Sequence, residues 1–185
     1  MEYERWLGEM RHQGTPLTDI LSYLEGVSTT VGNLRAATLA LNLEEVDKAR
    51  DLALKARLSQ HSEVIAYANS VLYHVSLRRK RNSDSESGTP AVLHSLLKTL
   101  KEVGDEKHKS LFSLEGECRL HISASMAFQD VANYEKAVFH ASEAALLAEN
   151  LGLDHLYKLA QSHLMASLSC VGKLSETYQL LAEQM

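Results

Sequence analysis

The segment EGECRLH places Glu117 and His121 at i and i+4, one helical turn apart, with Cys118 beside the carboxylate. Such a face could offer two ligands to a Zn²⁺ ion, but a zinc site needs three or four. The chain has nine histidines, yet neither H-E-x-x-H nor C-x-x-C occurs. His121, His140, His155 and His163 therefore read as structural or surface residues, and a metal-dependent helical-bundle enzyme built on Glu117 and His121 is the minor alternative. Nucleophilic chemistry has as little behind it. Cys118 falls mid-helix, Cys170 precedes Val171 and Gly172, and there is no G-x-S-x-G elbow. No glycine-rich phosphate loop follows a strand. The expectation is a chain that is not an enzyme, with no catalytic residue, cofactor or metal assigned.

Charge suggests two further features. Arg78, Arg79, Lys80 and Arg81 are consecutive cations. They read as a solvated helix C-terminus, where cations favour the dipole; a nuclear-localisation-like or phosphate-contacting patch is the alternative. Asp84 and Glu86 follow at once, among Ser83, Ser85 and Ser87, which could accept phosphate. No apolar residue occurs from Arg78 to Thr89, so a flexible loop is expected at about 80–89.

The elements that carry these residues read as helices. In 185 residues, 45% hydrophobic and 23% charged side chains are ordinary for a globular domain with a real core. A net charge of −5 gives no general attraction to nucleic acid or anionic membrane. No apolar run reaches the roughly 18 residues of a membrane span. The charged N-terminus lacks a signal-peptide core, and two cysteines make no disulfide framework, so both read as buried reduced thiols in a cytoplasmic protein. Few β-branched runs argue against sheet. Apolar spacing predicts helices over about 2–12, 16–24, 29–41, 44–58, 62–79, 89–104, 105–128, 134–151 and 154–171, with a last one to the end. Thr15, Thr89, Asp105 and Asp154 are the expected N-caps.

The pattern repeats. Ala49, Ala53 and Ala56 have the same mutual spacing as Ala137, Ala141 and Ala144, at an offset of 88 residues, and Ala36-Ala37 matches Ala124-Ser125 at that offset. Halfway between, at 44, stand Leu93, Leu97 and Leu100; Gly172, Leu174, Thr177 and Leu181 follow Ala132, Tyr134, Ala137 and Ala141 at 40. Small side chains along one helix face let a second helix approach to the lower end of the usual 8–10 Å. A helical hairpin cannot bury its apolar face alone, whereas stacked hairpins bury a continuous core between them.

These residues give the chain a resemblance to the tetratricopeptide repeat family, best over LHISASMAFQDVANYEKAVFHASEAALLAENLG. Ala124 and Ser125 stand at the small sites of the first helix and Phe128 at its large site. ANYEKA stands at the turn, with Ala132 in place of the family's glycine, and Tyr134, Ala137, Ala141 and Ala144 follow. Spacings of 40 to 44 exceed the usual ~34 and are closer to the longer-helix variants in sensor domains of maltose-activator-type regulators. The resemblance spans about 28–185 and leaves 1–27 as an N-terminal helical cap or part of a helix pair. It implies an all-α fold of antiparallel hairpins stacked as a right-handed α-solenoid. It also implies a non-enzymatic scaffold that binds a peptide or partner helix in its concave groove; the alternative is a ligand-sensing or oligomerisation domain of a regulator. Carried over residue by residue, the groove is Arg119, Ile122, Met126 and Gln129 from one unit and Leu159, Ser162, Ala166 and Ser169 from the next. The apolar Leu180 and Leu181 at the C-terminal end imply a cover from another chain or from a longer protein.

Overall fold

A computed structural model describes residues 2–27, 29–81, 89–105, 109–173 and 175–177. Among them there is no strand. Nine helices follow in order: α1 (Glu2–His12), α2 (Leu17–Gly26), α3 (Thr30–Asn42), α4 (Val46–Ala56), α5 (Ser62–Arg81), α6 (Thr89–Gly104), α7 (Leu111–Asp130), α8 (Tyr134–Leu151) and α9 (Asp154–Cys170); residues 175–177 are helical as well. The chain divides into two compact units, Met1–Arg79 and Lys80–Met185. The boundary expected near residue 27 lies inside the first unit, where α2 packs on α3. Residues 82–88, with Ser83, Asp84, Ser85, Glu86 and Ser87, and Leu174, Leu180 and Leu181 lie outside the described residues.

In the first unit α3 and α4 form a hairpin whose facing sides are small. Ala36, Ala37, Ala40, Ala49, Ala53 and Ala56 are all fully buried. Thr29 caps α3 by accepting from Gly32 N–H at 2.9 Å. Only glycine fits at 32, because a Cβ there would meet the Val27 carbonyl oxygen at 2.5 Å. α5 is tied to this hairpin by polar contacts. Arg35 donates to the Tyr67 hydroxyl at 3.2 Å and lies over its ring. Arg78 donates to the Leu41 carbonyl at 3.0 Å, near the end of α3, and Arg79 pairs with Asp47 on α4. Two of the four expected patch cations therefore hold helices together rather than standing free at a solvated terminus.

In the second unit α7 packs on α6, α8 and α9, and α8 packs on α9. Among the described residues, the most extensive helix contacts join sequence neighbours, with next neighbours also meeting at α7 and α9 and, through Arg35–Tyr67 and Arg78–Leu41, at α3 and α5. Ala137, Ala141, Ala144 and Ala148 are fully buried.

One turn recurs along the chain. Glu44 (φ 63°), Ala132 (φ 57°), Gly152 (φ 64°) and Gly172 (φ 78°) are left-handed. At each, the following N–H donates five residues back: Glu45 to Ala40 O at 2.9 Å, Asn133 to Phe128 O at 2.9 Å, Leu153 to Ala148 O at 2.9 Å, and Lys173 to Leu168 O at 3.0 Å. This is the hydrogen bond of a Schellman-type helix end, which satisfies a carbonyl the helix leaves unpaired. Each turn then starts the next helix with the same bond, Ala49 N–H to Glu45 O, Ala137 N–H to Asn133 O, Tyr157 N–H to Leu153 O and Thr177 N–H to Lys173 O. The offsets of 88 and 40 thus describe matching backbone, and the turn between α8 and α9 shares it.

The offset of 44 does not. Leu93 and Leu97 are only half-buried, while Leu96, Leu100 and Val103 form the buried stripe of α6. In a leucine-rich helix several stripes share one spacing, and the expected one was displaced around the helix. Three caps also differ. Pro16 occupies the N-cap of α2 without a side-chain bond, so Thr15 does not cap it. Ser110, not Asp105, caps α7, accepting from Ser113 N–H. Leu153 is the N-cap of α9, and Asp154 is its first residue, where a carboxylate complements the helix dipole.

Candidate functional site

Most of the buried polar residues described in the second unit stand on α7. This helix carries no formal charge between Arg119 and Asp130, and every residue from Leu120 to Phe128 is buried. A helix that shows no charged stripe is one enclosed on all sides. Its polar side chains must then find partners inside the protein, and they do so on two faces.

The first face meets α8. Ser125 Oγ donates to Ala137 O at 2.9 Å, and Cys118 Sγ to Ala144 O at 3.3 Å. Side chains this short reach a neighbouring backbone only where the axes lie close, which is the use of the alanines. Between these two bonds the Nδ1 atoms of His121 and His140 lie 3.0 Å apart. His140 stacks on Phe128, with ring centroids 5.3 Å apart and planes 10° apart, and meets the edge of Phe139. Burial pushes His121 down to about 4, helped by the Lys109 charge; burial does the same to His140, helped by His121 and Lys136. Both rings are neutral at pH 7, one donating and the other accepting. Burial also pushes the Cys118 thiol up to about 12, so it carries no thiolate at neutral pH.

The expected Glu117–His121 face is assembled differently. Lys109 donates to both carboxylate oxygens of Glu117, at 2.8 and 2.7 Å. His121 turns to His140 and Cys118 to the α8 backbone. Among the described residues no group of three or more His, Cys, Asp and Glu side chains could hold a metal ion. Cys170, read as buried, is exposed at the end of α9.

The second face of α7 meets α9 and contains the first half of the expected groove. Arg119 contacts His155 Nε2 at 3.1 Å and Glu115 at 3.6 Å. Gln129 Nε2 donates to His163 O at 3.1 Å and to Ser167 Oγ at 2.8 Å. Between these clamps Ile122 and Met126 are 1% and 3% exposed. These four residues seal the contact between α7 and α9 and line no open surface. The α9 residues stand elsewhere: Leu159 is half-buried, and Ser162, Ala166 and Ser169 are exposed along a stripe with Asp154 and Lys158. The eight residues therefore do not share one surface. The stretch without charge after Arg119 was the signal, in the sequence, that this face is enclosed.

Sequence reasoning also missed Phe139 and Leu146, which lie two turns apart on α8 and are 57% and 53% exposed. Among the described residues, no helix is long and apolar enough to cross a membrane. No family model, no curated protein and no solved structure matches the chain.

Proposed function

We propose that the chain is a non-enzymatic interaction module, a tetratricopeptide-like stack of helical hairpins that holds a protein or peptide partner. The observation that supports this reading is the helix-to-helix turn at Glu44, Ala132, Gly152 and Gly172, repeated bond for bond. Repetition of one hairpin, each packed on its sequence neighbours, is the architecture of solenoids, whose extended surfaces serve binding. The acidic net charge disfavours a nucleic-acid partner. On this reading the partner lies along the open stripe of α9, at Ser162, Ala166 and Ser169, with Leu159 as the apolar anchor and Asp154 and Lys158 as polar contacts. An extended peptide or helix docked by one apolar anchor and a few hydrogen bonds fits such a stripe.

The test is a photo-crosslinking side chain placed at Ser162 or Ala166, with Ser142 on the outer face of α8 as control. The reading expects discrete protein or peptide adducts from α9 and none from Ser142. Equal labelling of both faces, or no adduct from either, would contradict it. The exposed Phe139 and Leu146 favour one second reading, an oligomerisation or sensor domain of a regulator; a dimer in sedimentation velocity that Phe139→Ser with Leu146→Ser dissolves would select it.

A further inference from the structure

From the two facing imidazoles between α7 and α8 we infer that this seam is an acid-sensitive switch. Nδ1 of His121 and Nδ1 of His140 are 3.0 Å apart, and each residue is less than a tenth exposed. That distance is a hydrogen bond only if one ring donates and the other accepts, so one proton lies between the two atoms. The free Nε2 of the donating ring can take a further proton without breaking the bond, but that leaves a cation inside the seam. When both rings are protonated, two N–H donors point at each other and the contact turns repulsive. The rings also bridge the two helices midway between the Ser125 and Cys118 bonds to the α8 backbone. A repulsion here therefore acts on the whole seam.

The surrounding charge adds to the effect. Lys109, before α7, acts on His121, and Lys136, on α8, acts on His140; both oppose protonation. Glu117, one turn before His121, is engaged at both oxygens by Lys109 and offers the rings no free counter-charge. Cys118, on the same helix, is a neutral thiol bonded to Ala144 O. Among the described residues, no charge from α6 or α9 contributes to the shift of either ring. Phe128 lays an apolar face on His140, and Phe139 meets the same ring in a T-shaped contact.

Each ring takes its proton near pH 4 in the folded chain, against 6.5 for a free histidine. Between those values the unfolded chain binds more protons, so acid favours opening. The stability is fully present above pH 6.5 and is lost as pH falls towards 4. At pH 5 the folding equilibrium constant should be lower than at pH 7.5 by on the order of tenfold per ring.

The experiment is urea unfolding of the wild-type chain and of His121→Leu with His140→Leu, at pH 7.5 and pH 5. Every other titratable group is common to both proteins, so the difference between them isolates the rings. The inference expects a fall in the wild-type midpoint that the double variant largely removes; equal falls in the two would overturn it. If the double variant does not fold, nitrogen-15 spectra of the wild-type imidazoles decide. Two rings that stay neutral at pH 5.5, one Nδ1 protonated and one not, support the switch. All nine rings titrating between pH 6 and 7 would refute it.

Discussion

The hairpins α3–α4 and α7–α8 share a backbone but not a seam. Both turn through a left-handed residue, Glu44 in one and Ala132 in the other, with the same hydrogen bonds on either side. Both bury three alanines of the second helix completely: Ala49, Ala53 and Ala56, and Ala137, Ala141 and Ala144. Where α7 has Ser125, α3 has Ala37, and where α8 has His140, α4 has the buried Leu52. The first seam is an apolar contact of small side chains. The second adds hydrogen bonds and a histidine pair. Backbone shape in these hairpins thus follows from the turn and the small residues, while the polar content of the seam is free to vary. That freedom is what allows a pH response in one hairpin and not in the other.

The comparison is broken most severely by filling the seams. Ala53→Leu and Ala141→Leu each insert a large side chain where the neighbouring helix is in contact, and overpacking costs about 1–3 kcal/mol, sometimes more. Urea unfolding should place both at or above the upper end of that range, with Ser142→Leu, on the exposed face of α8, near zero. A loss at only one of the two alanines would mean that the seams are not equivalent. Next in size is Gly32→Ala. Its Cβ would meet the Val27 carbonyl oxygen at 2.5 Å, so the entry to α3 must shift and the Thr29 cap is strained. Loss of such a cap alone costs about 1 kcal/mol, and thermal unfolding should show at least that. The corresponding position of α7 is the buried Leu120, so this constraint belongs to the first hairpin alone. The smallest effect sharpens the contrast. Ser125→Ala gives α7 the residue that α3 already has at Ala37 and removes one buried hydrogen bond, for about 1 kcal/mol. If unfolding shows no change, Ser125 does not hold the seam.

Much of this was legible in the residues. The alanine spacing identified both seams, and the offsets of 88 and 40 located three turns that share one geometry, which also occurs at Gly152. Ala132 and Glu44 took the place of a glycine, so the turn was found through its neighbours rather than through a residue that prefers positive φ. Other features were hidden because one pattern fits several arrangements. Leucine at 93, 96, 97 and 100 allows more than one stripe, and burial selected the one through Leu96. Arg119 and Gln129 look like groove residues when α7 is read as one face of a hairpin. They prove to be clamps because α9 closes over that face, a long-range contact that helical spacing does not encode. The pairing of His121 with His140 was equally invisible: the two are 19 residues apart and meet only through the register of the antiparallel hairpin.

Residue-resolved native-state hydrogen exchange tests the central claim most directly, because it reads both seams in one experiment. At pH 7.5 the amides of Ala49, Ala53 and Ala56, and those of Ala137, Ala141 and Ala144, should fall among the slowest-exchanging class of their own units. The amides of Glu45 and Asn133, which close the two turns, should also be protected. Rapid exchange along either set of alanines would show that this helix face is open to water, and the reading of the chain as repeated close-packed hairpins would be wrong.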